Sequence, residues 1–252
     1  MPKTLIESFP TESRIAVIDG SSILNISECF MDTVQGENFA GIPSTFLRLQ
    51  NCTLACGWCD TLEVWKQGNP YSVKELIEIF QKNGTLDKFK LGQNLIFTGG
   101  SPLLQQNALI ELIHGLINEN SLPFIQIENE CTRLPDNRLV EYISIWNNSP
   151  KLSNSGMRKE LRYKPDILKF LSKLENSWFK FVISNMEDWS EIQRDFLDTN
   201  LIRKDQIVIM PEGQTREQLQ KNYNFVVKMA VEQNVRMSDR MHVTIWNKQV
   251  GV

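Results

Sequence analysis

A surplus of positive charge, long apolar runs and histidine are what this chain lacks. Lys and Arg number 27 against 30 Asp and Glu, a formal net charge of −3. Without a basic surplus, nucleic acid is not expected as the main ligand, because phosphate backbones are bound by a positive face. No apolar stretch approaches the roughly 18 residues of a membrane span, so membrane insertion is not expected either. The first residues, MPKTLIESFPTESR, carry neither an apolar core nor a small-residue cleavage site, and a cytoplasmic protein is the expectation. Histidine occurs twice, as His114 within the helical pattern 104–118, where it faces solvent or packs, and His242 just before a β-rich run, and neither reads as a catalytic base. Repeats, low-complexity tracts and linker-like segments are missing too. What remains is 41% hydrophobic and 23% charged over 252 residues. That is a globular composition, long enough for a sizeable core, and an α/β barrel of roughly 200–250 residues fits the length.

Cysteine is sparse but clustered. Five cysteines, an odd number, do not read as a disulfide framework in a chain expected to be cytoplasmic. Three of them lie in one eight-residue stretch, Cys52-Thr-Leu-Ala-Cys56-Gly-Trp-Cys59. Small buried core residues are one reading. Zinc is a second, but a structural zinc site wants a fourth ligand, and Cys29, Cys131, His114 and His242 show no paired spacing. A 4Fe–4S cluster is the third. Three thiolates leave one iron of a cubane without a protein ligand, free to take a substrate or cofactor, as catalytic metals generally are.

Along the chain, short β-rich runs alternate with helical patterns. The runs are 44–49, 95–98, 124–127, 142–146, 179–183, 207–210 and 243–246. Helices are expected over 73–83, 104–118, 165–175, 187–198 and 216–234. Ser72-Val-Lys-Glu75 and Thr215-Arg-Glu-Gln218 read as capping boxes before the first and last of these. The alternation predicts a parallel sheet with helices outside it. Six or seven strands are too few to close an eight-stranded barrel, so an α/β fold of the open, partial (β/α)6 barrel kind is expected. Residues 1–27 form an N-terminal extension, carrying an extra strand or arm, and 28–252 form one domain. The polar stretch 151–163, with Arg158, Lys159 and Arg162, reads as a solvated, mobile loop.

The polar motifs fall directly after these runs, where ligands gather in such folds. The cysteine loop follows the first, and Thr98-Gly99-Gly100-Ser101-Pro102 follows the second. Paired glycines let backbones approach closely, although an ordinary strand-to-helix turn would also use them. Glu128-Asn-Glu-Cys131-Thr132 follows the third run and Ser149-Pro150-Lys151 the fourth. Alone, each would pass for a solvated loop. Upstream lie Gln35-Gly36-Glu37, then Gly41-Ile-Pro43, then Arg48, and Asp60-Thr61 follows the last cysteine. Taken singly, Arg48 is an ion-pair partner, Thr61 a cap, and Gln35-Gly36-Glu37 a turn.

The spacing Cys-x3-Cys-x-aromatic-Cys, with Trp58 as the aromatic, resembles the signature of radical S-adenosylmethionine (SAM) enzymes. The ordered set of motifs, running from about Glu28 to the C-terminus, resembles the 7-carboxy-7-deazaguanine synthase family. That resemblance implies a partial barrel and ring contraction of 6-carboxy-5,6,7,8-tetrahydropterin to 7-carboxy-7-deazaguanine with loss of ammonia, a step of queuosine and other 7-deazapurine biosynthesis. It implies a 4Fe–4S cluster on Cys52, Cys56 and Cys59, and Mg²⁺ on Thr61. SAM contacts are implied for Trp58, Gly100, Ser101, Glu128, Ser149, Pro150 and Lys151. The pterin is assigned to Gln35, Gly36, Glu37, Arg48, Thr98 and the C-terminal carboxylate of Val252. Arg48 suits a carboxylate because its planar fork binds one bidentately. An electron donor such as flavodoxin and a homodimer are also implied. Another radical SAM enzyme, such as a glycyl-radical activase, or a non-catalytic iron–sulfur module would share the cluster without the pterin set. The chain departs from the family pattern at three places. Ser101 replaces the glutamate of Gly-Gly-Glu-Pro, which binds the amino group of SAM. Glu130 and Cys131 stand where Glu-Thr-Asn-Gly-Thr has Asn and Gly. Asn38 follows Gln-Gly-Glu in place of glycine.

Overall fold

The computed structural model describes residues 3–6, 22–36, 39–247 and 249. Its strands are β1 (Lys3–Ile6), β2 (Ile23–Val34), β3 (Pro43–Leu49), β4 (Asn69–Ser72), β5 (Asn94–Gly99), β6 (Ile125–Asn129), β7 (Ile145–Asn148), β8 (Ser177–Ile183), β9 (Ile207–Pro211) and β10 (Arg236–Met237). They form one sheet in the order β1-β2-β3-β5-β6-β7-β8-β9-β10, with β4 on β2. From β3 to β10 all neighbours are parallel, whereas β1, β2 and β4 join antiparallel. β1 and β10 end the order without meeting, so the sheet is open, as the partial barrel requires.

Parallel strands are covered on both faces, which calls for near-continuous apolar runs rather than alternation. Asn94–Gly99 is buried almost throughout, and Ile145–Asn148 and Ile207–Pro211 entirely. The helices connecting these strands pack outside. Helix α1 is Leu62–Trp65, and α2 is Val73–Lys82. Ser72 caps α2 in a complete capping box with Glu75, and the helix buries Val73, Leu76 and Phe80. Helices α3 (Thr85–Lys90), α4 (Gln106–Asn118), α5 (Asn137–Val140), α6 (Lys159–Arg162), α7 (Pro165–Ser172), α8 (Met186–Ile192), α9 (Arg216–Gln233) and α10 (Met241–Trp246) follow. Thr215 caps α9 through the amide of Gln218, but the Gln218 side chain accepts from Gln214, so that box is half formed.

Three expectations change. The run 243–246 is not a strand but lies within α10. Its β-branched residues favour a pleated, half-buried surface, yet among the described residues no strand pairs with them, and of them only Val243 is buried. Arg216 caps the helix by donating to the carbonyls of Thr244 and Ile245. The run 142–146 becomes a strand only from Ile145. The stretch 151–163 is not a solvated loop. It contains a 3₁₀ turn at Ser153–Ser155 and the helix α6, and Arg162 is buried, paired with Glu191 at 2.7 Å. At the N-terminal side, β2 runs through residues 27 and 28 without a break.

Candidate active site

The loops after the C-terminal ends of the parallel strands enclose a cavity of about 420 Å³, within the range of small-ligand sites. Cys52, Cys56 and Cys59 line it, as do Trp58, Thr61 and Gly100. Gly36, Arg48, Thr98, Glu128, Ser149 and Lys151 complete the expected residues found there. Gln35, Ser101 and Pro150 are buried behind the wall. Glu37 and Val252 lie outside the described residues, as does Asn38.

One row of polar side chains crosses the floor. Strand register sets Glu28 opposite Arg48, and Arg48 beside Thr98. Arg48 Nε donates to Glu28 Oε1 at 2.5 Å, and Thr98 Oγ1 to Glu128 Oε2 at 2.6 Å. Glu28 is buried, and no motif in the sequence marks it. Its partner comes from an antiparallel strand whose register no local pattern states. Arg48 is therefore both the ion-pair partner and a cavity residue. Beside this row Phe30 and Phe46, also register partners, stack at 5.2 Å between centroids and 5° between planes. Both line the cavity, giving it a flat apolar wall.

The cysteine loop is fixed from several sides. Gly100 N donates to Leu49 O and Ser101 N to Asn51 O at 2.8 Å. These contacts explain the glycine pair. A Cβ at Gly100 would lie 2.0 Å from Asn51 O and 2.8 Å from Cys52 Cβ, and Gly99 has φ +134°. Gly57 N donates to Ser155 O, and Trp58 Nε1 to Asn154 Oδ1. Lys151 Nζ bonds Ser149 Oγ at 2.8 Å and lies 5.5 Å from the centroid of the Trp58 ring. Gly100→Ala must push the start of the loop away. Overpacking of this kind costs about 1–3 kcal/mol, and purified Gly100→Ala protein is expected to hold less iron per chain than wild type by colorimetric assay.

Burial pushes the thiols of Cys52 and Cys56 up. The Ser101 hydroxyl, 3.5 Å from Cys52 Sγ, opposes this for Cys52, and the Lys151 charge opposes it for Cys56. Among the described residues no three His, Cys, Asp or Glu side chains converge on a single metal ion. A cubane is held differently, with each thiolate on its own iron, and three loop thiols facing one cavity suit it. Cys131 belongs elsewhere. It is buried, its thiol is raised well above the ordinary range by desolvation, and it sits at φ +65°. Cys29 is a core residue of β2. Hydrogen bonds to cluster sulfurs raise reduction potentials, because they favour the more negative state. A bond worth about 0.5–1.5 kcal/mol bounds the effect at about 65 mV for one electron. Ser101→Ala is expected to lower the potential within that limit in an EPR-monitored redox titration.

Sequence reasoning missed the far wall. Arg240 is buried and paired with Asp60, and His242 Nε2 lies 3.2 Å from the same carboxylate oxygen. Burial alone would raise the Asp60 carboxyl, but Arg240 and His242 outweigh it and hold it well below the usual range. Lys180, on β8, has its ammonium brought down to about 7 by burial and the Arg240 charge. Asp60 belongs to the cysteine loop, Lys180 to β8, and Arg240 and His242 to the start of α10, so their meeting depends on the fold and no local pattern marks it.

A family model described as "4Fe-4S single cluster domain" matches residues 35–126. Curated relatives are the 7-carboxy-7-deazaguanine synthases of Pyrobaculum aerophilum and Halobacterium salinarum. The first is 29% identical over 223 residues, covering 87% of this chain and 93% of the relative. The second is 29% identical over 248 residues, covering 89% and 91%. The crystal structure of QueE from Escherichia coli has the same fold, with a TM-score of 0.63 at 22% identity over 88% of this chain and 95% of that one. Along most of its length the chain is similar to the 7-carboxy-7-deazaguanine synthases of these organisms, and its fold is that of the Escherichia coli structure.

Proposed function

We propose that this protein is a radical SAM 7-carboxy-7-deazaguanine synthase, contracting the ring of 6-carboxy-5,6,7,8-tetrahydropterin with release of ammonia. The observation that carries the reading is the meeting of two sets in one cavity. The three-cysteine loop faces a row of carboxylate- and ring-binding groups, Glu28, Arg48, Thr98 and Glu128, beside the Phe30–Phe46 wall. When bound, a 4Fe–4S cluster on Cys52, Cys56 and Cys59 together with SAM supplies a carbon-centred radical that takes a hydrogen atom from the substrate.

The protein's own groups do the rest. Arg48 uses one guanidinium edge on Glu28 and keeps its charge in the cavity for the substrate carboxylate. A buried amide needs partners for its donor and its acceptor, and the Gln35 side chain has neither end paired. Gly36, beside it, lines the cavity wall, and its backbone suits the amino-oxo edge of a pterin. Thr61 sits at the start of α1 but its hydroxyl makes no cap bond. Its contact with Cys59 Sγ at 3.8 Å leaves an oxygen lone pair as a hard ligand for Mg²⁺, which takes few protein ligands and keeps water and substrate oxygens. Lys151 and Trp58 brace the cysteine loop against β7 and offer a cation toward the carboxylate of SAM. Electrons come from an external donor such as flavodoxin. Anaerobic incubation of cluster-reconstituted protein with SAM, Mg²⁺, reductant and the carboxytetrahydropterin is expected to yield 7-carboxy-7-deazaguanine by mass. Accumulating 5′-deoxyadenosine without that product would overturn the substrate assignment. An intact cluster with neither product would overturn the enzymatic reading.

A further inference from the structure

One acid at the cavity is only half satisfied. Glu130, just after β6, is 5% exposed and lines the cavity. Its Oε1 accepts from Thr53 Oγ1 at 3.0 Å and from Thr132 Oγ1 at 2.6 Å. Its Oε2 is buried with no hydrogen-bond partner, and among the described residues no cation is paired with it. A buried carboxylate oxygen left unpaired is costly. Here one oxygen is clamped by two hydroxyls, so the carboxylate is held in place rather than free to turn away. Thr53 follows Cys52 directly, and its Oγ1 also lies 3.2 Å from Ser101 Oγ. The loops after β3, β5 and β6 thus meet at Thr53, with Glu130 on one side and Ser101 on the other. Ser101 is already committed: it accepts from Thr53 N at 2.9 Å and donates to Cys52 Sγ at 3.5 Å. Glu130 Oε2 is a carboxylate acceptor left for a ligand beside the cysteine loop.

We propose that Glu130 Oε2 receives the α-amino N–H of SAM, so that the carboxylate holding the amino-acid end comes from the loop after β6 and not from the position of Ser101. This deepens the proposed function and rests on its SAM reading. Of the donors SAM carries, the adenine amine and the two ribose hydroxyls belong to the nucleoside, which 5′-methylthioadenosine shares, and the sulfonium has no N–H. The α-amino group is the donor that a fixed carboxylate at the cysteine loop matches. Charge-assisted hydrogen bonds are about twice as strong as neutral ones, so losing the charge is read directly in affinity.

The test is anaerobic equilibrium dialysis of cluster-reconstituted protein against SAM and against 5′-methylthioadenosine, which has the nucleoside but no amino acid, with iron counted in each sample. Glu130→Gln keeps the shape and removes the charge. It is expected to weaken SAM about 10- to 100-fold while 5′-methylthioadenosine binding and iron content stay at wild-type values. In the exchange variant Ser101→Glu/Glu130→Asn, SAM affinity is expected to return to within several-fold of wild type. Unchanged SAM affinity in Glu130→Gln would overturn the proposal, as would equal losses for both probes, which would put the carboxylate at the adenosine end. If Glu130→Gln loses iron, the exchange variant decides: full iron without SAM affinity counts against the proposal. A wild-type protein that carries its cluster but does not bind SAM would instead sink the functional reading beneath it.

Discussion

Replacing Arg48 by alanine is expected to cost about 3–5 kcal/mol of folding stability and to abolish pterin turnover. The first effect follows from Glu28. It is 2% exposed, and its hydrogen bond and charge partner is Arg48 at 2.5 Å. Removing the guanidinium strands a buried carboxylate, which is far more damaging than never having had the pair. The second effect follows from the cavity, where the remaining guanidinium edge is the charge offered to the substrate carboxylate. The two can be separated. The double variant Glu28→Leu/Arg48→Met removes both charges, and such replacements are often neutral in stability. Urea unfolding should therefore show the double variant recovering most of what Arg48→Ala loses, while turnover stays absent in both. If the double variant regains activity with its stability, Arg48 is a structural partner only.

Alanine at Cys52, Cys56 or Cys59, one at a time, is expected to strip the cluster, taking iron from about four per chain to near zero and turnover below detection. Alanine at Cys29 or glycine at Cys131 is expected to leave the iron in place. Cys29 packs in the core, and Cys131 is fully buried away from the cavity wall. Its backbone, at φ +65°, is where glycine is at ease and a side chain is not, so Cys131→Gly relieves strain. Anaerobic iron and sulfide analysis with the visible absorption spectrum checks all five variants. Iron lost with Cys29 or Cys131 would mean that a fourth thiolate belongs to the site and that no iron is open.

What the chain declares about itself is local. The runs that become β3, β5, β8 and β9 are dense in apolar and β-branched residues, and parallel strands buried on both faces require that density. The capping box at Ser72 and Glu75 marks its helix because the side chains involved are three residues apart. The cysteine loop is legible for the same reason. β2 is not among the expected runs, since register shifts interrupt its pairing with β3 and break any simple alternation. Val243-Thr-Ile245 carries strand-forming residues into a helix, because propensity yields where, among the described residues, no strand pairs with them. Glu28 with Arg48, Asp60 with Arg240, and Glu130 with Thr53 are pairings between distant segments. Each depends on register and loop path, which only the folded chain supplies. Arg162 shows the same limit. Within a polar stretch it looks solvated, yet Glu191 from another helix draws it into the interior.

The most direct test of the three-cysteine site is the EPR spectrum of the reduced, reconstituted protein with and without SAM. An iron held by the protein on one side and open on the other must sense a ligand that chelates it. The expected result is a [4Fe–4S]⁺ signal whose g-values and line shape change when SAM is added, and change less at the same concentration in Glu130→Gln. A fully formed cluster whose signal is the same with saturating SAM would contradict an open iron, and with it the chemistry assigned to this cavity.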